Sequence, residues 1–199
     1  MTGPKNTVMK AGIDLPALVA RGAQLLRQVG GPFALIGGAA LQVYGNERYT
    51  KDVDFAVREA QGAQALALWP GESRPLGIGG VALIADGACI DLIDRRRELR
   101  ALYEEAIDAT QASRVTVDAA GELVPLVPAE YLAVMKFAAD RDQDVIDVLY
   151  LLKLDVFNYR MARDIVERHL GRFGARHFDR LAQRAGRGDA RSDYEEGEK

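Results

Sequence analysis

Apolar positions recur along this chain in two rhythms, one of helical and one of strand spacing, and the changes between them lay out its elements. From Leu15 the apolar residues Leu18, Val19, Leu25, Leu26 and Val29 fall on one helical face, with Asp14 placed to cap the start and Pro16 in the first turn. Gly30-Gly31-Pro32 stops that helix. The chain then runs Phe33-Ala34-Leu35-Ile36, Gly37-Gly38, Ala39 to Tyr44 and Asp52-Val53-Asp54-Phe55-Ala56-Val57, an order that reads as strand, glycine turn, short helix, strand. The Ala- and Leu-rich segment 59–68 predicts a helix, ended by Pro70-Gly71. Segments 81–85 and 88–94, joined by Asp86-Gly87, predict a hairpin, because Asp-Gly suits the positive φ values of a two-residue loop. Segment 98–107 reads as a helix, and 114–117 and 123–126 as two short strands. From Pro128 only the helical period remains, over 128–139, 144–152, 155 or 158 to 170, and 172–185. That change places a boundary near Val127, between a core over 13–127 and a helical subdomain over 128–186. Residues 1–12 read as a frayed start. The tail 187–199, with Asp189, Asp193, Glu195, Glu196 and Glu198, reads as a disordered acidic end.

Composition narrows the classes. A chain of 199 residues with 48 % hydrophobic and 28 % charged positions can bury a core, as one domain or as a catalytic domain with a small annex. Its net charge of −3 and pI of about 5.5 argue against a nucleic-acid coat protein while leaving local basic patches open. Cys89 is the single cysteine, so an intrachain disulfide and a cysteine zinc cluster are both excluded, and a reducing, cytoplasmic setting is the expectation. No signal peptide is legible, and no apolar run approaches the ~18 residues of a membrane span.

The chemistry concentrates in residues 33–57. Strand alternation points Asp52 and Asp54 the same way, close enough to share a divalent cation. Two like charges on one strand face otherwise repel, so a cation is expected between them. Gly37 and Gly38 lie where a strand hands over to a helix, where backbone N–H groups can meet a phosphate. The second hairpin strand, Cys89-Ile90-Asp91-Leu92-Ile93-Asp94, puts Asp91 and Asp94 on opposite faces, so only one of them can join Asp52 and Asp54.

The run Gly37-Gly38-Ala39-Ala40-Leu41, Tyr44-Gly45, Arg48, Thr50, Asp52 and Asp54 resembles the nucleotidyltransferase superfamily of DNA polymerase beta. More narrowly it is similar to the AbiE-type toxin branch. The resemblance implies an α/β (α+β) nucleotidyltransferase fold, a small mixed β-sheet flanked by helices, with a C-terminal helical annex. It selects Asp91 as the third acid, leaving Asp94, followed by Arg95-Arg96-Arg97, for a solvated strand end. It implies that Asp52, Asp54 and Asp91 hold two Mg²⁺ ions, and that an NTP is the substrate. Many members carry Ser after the two glycines where this chain has Ala39, so the phosphate contact would pass to backbone N–H groups, Arg48 or Lys51, with Thr50 part of the same motif. Lys136 and Arg141-Asp142-Gln143-Asp144 resemble the family's Lys and Lys-Asp segments. Gln143 replaces the expected Lys, so Lys136 and Asp144, and less directly Asp147, carry over. The branch also implies a toxin–antitoxin setting with a cognate partner protein, and RNA, protein or a small molecule as the acceptor of a nucleoside monophosphate. The competing class is a non-catalytic, regulatory or antitoxin-like protein on the same fold, favoured by Ala39 and Gln143 and disfavoured by retention of all three acids. Arg172, Arg176, Arg180 and Arg184 recur every fourth residue and would form one helical stripe able to meet RNA phosphates. Gly174 is the expected interruption of that helix.

Overall fold

The computed structural model describes residues 13–85, 87–95, 97 and 99–187. Five strands form a mixed sheet in the order β1-β2-β5-β4-β3. They are β1 (Ala34–Ile36), β2 (Val53–Ala56), β3 (Ser73–Pro75), β4 (Val81–Ala85) and β5 (Ala88–Ile93). Only β2 and β5 pair in parallel; β1 with β2, β5 with β4 and β4 with β3 are antiparallel. A second hairpin, β6 (Thr116–Ala119) and β7 (Glu122–Pro125), stands apart, with an isolated bridge between Leu35 and Leu126 linking its end to β1.

Helix α1 (Leu15–Val29) starts as its sequence predicts: the Asp14 side chain accepts the Ala17 N–H and Pro16 sits in the first turn. It packs close against the sheet. A Cβ on Gly22 would come within 2.4 Å of the Phe55 ring, so the helix lies on the sheet face that carries Phe55 and Ile90. The opposite face carries Asp54 and Asp91. The helices α2 (Gly37–Val43), α3 (Glu59–Leu68), α4 (Arg100–Ser113), α5 (Ala129–Ala139), α6 (Asp142–Leu151) and α7 (Tyr159–Arg184) complete the fold. One apolar cluster runs from Leu26, Phe55 and Ile90 through Leu132 to Phe178, so the C-terminal helices share the core of the sheet.

Several boundaries differ from the sequence pattern. Strand β3 has no apolar alternation to announce it: all three residues are exposed, and it is held at the sheet edge, where Pro75 is tolerated. Helix α4 begins two residues later than expected and runs on to Ser113; Glu98, Asp86, residues 1–12 and 188–199 lie outside the described residues. The helical break in α7 is at Gly171 (φ 72°, ψ 175°), while Gly174 remains helical. Arg187, grouped by sequence with the tail, is anchored: its side chain donates to the Leu152 and Phe157 carbonyls. No helix among the described residues is long and apolar enough to cross a membrane.

Candidate active site

Register places the acids. Asp54 on β2 is the direct partner of Asp91 on β5, in a row across the sheet that reads Ile36, Asp54, Asp91, Ala82, Arg74. Partners in one row project to the same face, so the two carboxylates stand side by side, one strand spacing apart. Asp52 lies two residues before Asp54, just ahead of β2, and is oriented by its neighbours: its Oδ1 accepts the Cys89 N–H at 3.0 Å. Thr50 Oγ1 donates to the Asp52 carbonyl at 3.0 Å.

The three carboxylates act on one another. Burial lifts the Asp54 carboxyl above its ordinary range, against the pull of Lys136 and a hydrogen bond from the Gly38 N–H, and the Asp52 charge lifts it further. Asp91 is pushed up to about 6, by burial first and then by Asp54 and Asp52, with Arg74 opposing. Its Oδ1 is buried and has no hydrogen-bond partner. Among the described residues, no three acidic, histidine or cysteine side chains are gathered into a finished cation cage. The fit to a hard divalent cation rests instead on a shared face of oxygen donors, their mutual repulsion and the orphaned Asp91 oxygen.

The glycine turn makes room for Asp54. A Cβ on Gly37, which sits at φ 68°, would lie 1.9 Å from Asp54 Oδ2, and one on Gly38 would lie 2.9 Å from Thr50 Oγ1. The start of α2 thus closes over Asp54, and the Gly38 N–H is already engaged by that carboxylate.

Asp54 and Asp91 open onto a cleft of about 430 Å³ whose walls include Ile78, Arg95, Tyr103, Lys136 and Arg141, a size suited to a small-molecule ligand. The helical wall is braced by a buried charge network. Lys136, 7 % exposed, donates to Asp144 Oδ1 at 3.0 Å and meets Asp147 Oδ2 at 2.9 Å. Arg48 reaches the same Asp147 oxygen at 2.5 Å, and Arg141 Nε reaches Asp144 at 2.5 Å. Burial raises the Asp144 carboxyl, but hydrogen bonds from Arg141 and Lys136 outweigh it and hold the group below its usual range. The loop before β2 is tied down here too: Tyr150 Oη donates to the Tyr44 carbonyl, Tyr44 Oη to Val127, and Gln42 to the Arg48 carbonyl.

Of the residues singled out by sequence, Gly37, Asp54, Asp91 and Lys136 thus line the cleft, with Asp52 and Gly38 beside Asp54. Arg48 and Asp144 stand behind its wall, bound to each other's network through Asp147 and Lys136, and Thr50 supports the turn. Lys51 is exposed on the approach to β2. Asp94 does face away from Asp91, but it is 5 % exposed. The expected solvated strand end is therefore a buried one, because the back of the sheet is covered as well. Among the polar residues of the cleft and the row, Arg74, Arg95 and Tyr103 had not been singled out. The period-two pattern of Asp91, Ile93 and Arg95, all of which line the cleft, is the signal that could have identified Arg95.

No family model and no curated protein matches the chain. Among solved structures, it is similar to one described as an antigenic nucleotidyltransferase-like protein from Paracoccidioides brasiliensis. The TM-score is 0.51 and the identity 20 %, over 81 % of this chain and 91 % of that one. At that identity the likeness shows the fold, a nucleotidyltransferase-like mixed sheet flanked by helices; it does not reach the narrower AbiE-type branch.

Proposed function

We propose that the chain is a magnesium-dependent nucleotidyltransferase that moves a nucleoside monophosphate from an NTP to an acceptor hydroxyl. The observation that carries this reading is the register pairing of Asp54 with Asp91 at the floor of a cleft, with the Asp52 charge close to both. Asp52, Asp54 and Asp91 would hold the magnesium, which when bound lowers the pKa of the attacking hydroxyl and neutralises charge on the transferring phosphate. The protein's own contribution is placement. Asp52 is fixed by the Cys89 N–H, and Asp54 by the Gly38 N–H and the space at Gly37. Asp91, paired across the strands with Asp54 and lining the cleft, is placed to face the acceptor and would accept its proton. Lys136 adds positive charge at the wall, close enough to lower the Asp54 carboxyl.

A second reading, a catalytically inactive binding or antitoxin-like protein on the same fold, is favoured by one observation. The Gly38 N–H, which would greet a phosphate, is engaged by Asp54. Incubation with α-labelled NTPs and RNA or protein acceptors separates the two. The transferase reading expects magnesium-dependent label on an acceptor, lost in Asp91→Asn. Label that never appears with any of the four NTPs, despite intact NTP binding, favours the binding protein.

A further inference from the structure

Three cations line the cleft, Arg95, Lys136 and Arg141, and two of them are committed to acids. Lys136 is held by Asp144 and Asp147, and Arg141 by Asp144. Arg95 has no acidic partner among the described residues. Its companion is Tyr103, whose ring centroid lies 5.5 Å from the guanidinium carbon and whose hydroxyl shares a hydrogen bond with it. Its Nε is buried and makes no hydrogen bond. Nor is its charge absorbed by the carboxylates on the floor. The cation that lowers Asp91 is Arg74, and those that lower Asp54 are Lys136 and Arg141.

The backbone around Arg95 is unusual. Arg95, Arg97 and Leu99 all have positive φ, at 40°, 76° and 63°. Side-chain-bearing residues adopt this region at a cost, and such strain persists where the surrounding fold enforces it. Arg95 lines the same cleft as Asp91 and Ile93. A desolvated guanidinium N–H without a partner, on the wall of a cleft, is matched by an oxyanion such as a phosphate.

We infer that Arg95, backed by the Tyr103 ring, is a phosphate-binding residue of this cleft and holds the triphosphate tail of the incoming nucleotide. The identity of the ligand rests on the nucleotidyl-transfer reading; the anion site rests on the geometry alone. The cleft then divides its work: carboxylates on the floor, and an uncommitted guanidinium on the wall for the polyphosphate.

The test is calorimetric titration of the full chain, at about 0.15 M salt to screen exposed arginines. Tripolyphosphate without magnesium and NTP with magnesium are the two probes. Arg95→Gln is expected to weaken both by about tenfold or more, the scale of a lost charge-assisted hydrogen bond, with its melting temperature close to the parent's. If Arg95→Gln melts well below the parent, Arg95→Lys carries the test. It keeps the charge but loses the forked donors, and an unchanged tripolyphosphate affinity in it contradicts the inference. Parent and Arg95→Gln binding NTP equally would overturn the role of Arg95 and leave the transferase reading standing. Binding of tripolyphosphate lost in Arg95→Gln, with no NTP binding by the parent, would keep the anion site and overturn the nucleotide. A parent that binds neither probe overturns both.

Discussion

A single hydrogen atom separates the backbone of Gly37 from the Asp54 carboxylate, and any larger group there would collide with it. Gly37→Ala must both adopt φ 68° and displace Asp54, so it is expected to cost at least about 1–2 kcal/mol from the backbone alone and to abolish magnesium-dependent NTP binding. Thermal melts and calorimetry check the two effects; parent-like values in both would show that the turn is not what seats Asp54. Asp91 gives a pH prediction. Its folded-state carboxyl titrates near 6, above the ordinary carboxylate value, so the folded protein holds more protons than the unfolded chain between about pH 4 and 6. Its contribution is fully favourable below that window and is lost as pH rises through it. Asp91→Asn should therefore stabilise the fold at pH 7.5, with the gain shrinking toward pH 4.5. A gain independent of pH would mean that Asp91 is not the strained acid. At this scale, the acids and glycines were legible because alternation and turn chemistry are local. Arg95 was not, since its meaning depends on which neighbours lack a counter-charge.

Helices α5 and α6 are joined by the Lys136 network, and removing its central cation isolates two buried carboxylates. Lys136→Met is expected to destabilise by about 3 kcal/mol, the lower end for breaking a buried pair, because Arg48 and Arg141 still reach Asp147 and Asp144. A melt near the parent's would show that those two arginines suffice. On α7 the residues Arg172, Arg176, Arg180 and Arg184 are all exposed, on the segment beyond the Gly171 break. If this stripe holds an RNA acceptor, changing all four to Gln lowers the salt slope of RNA binding by about one unit per lost phosphate contact. An unaltered slope assigns the stripe to solvent. Most helices were legible from their apolar period, since their buried faces repeat every third or fourth residue. Strand β3 was not: three exposed residues joined to an edge leave no pattern in the sequence. Helix starts moved by a residue or two because N-caps such as Arg141 and Leu99 are set by tertiary contacts and loop geometry rather than by a capping side chain.

Across the whole molecule, the parallel pairing of β2 with β5 is the decision that makes the site. It aligns Asp54 with Asp91 from strands 37 positions apart, and no local rhythm in the sequence announces it; only the resemblance to a known fold did. The helical segment after Val127 then closes the cleft, sharing one apolar core with the sheet and supplying Lys136 and Arg141 to its wall. The measurement that tests this account most directly is calorimetric NTP binding, with and without magnesium, by the parent and by the Asp52→Asn/Asp54→Asn double variant. The account predicts binding by the parent that requires magnesium, and its loss in a double variant that melts at or above the parent temperature, because carboxylate repulsion is relieved. NTP binding by the double variant with an unchanged magnesium requirement would contradict it, and would place the nucleotide site away from these acids.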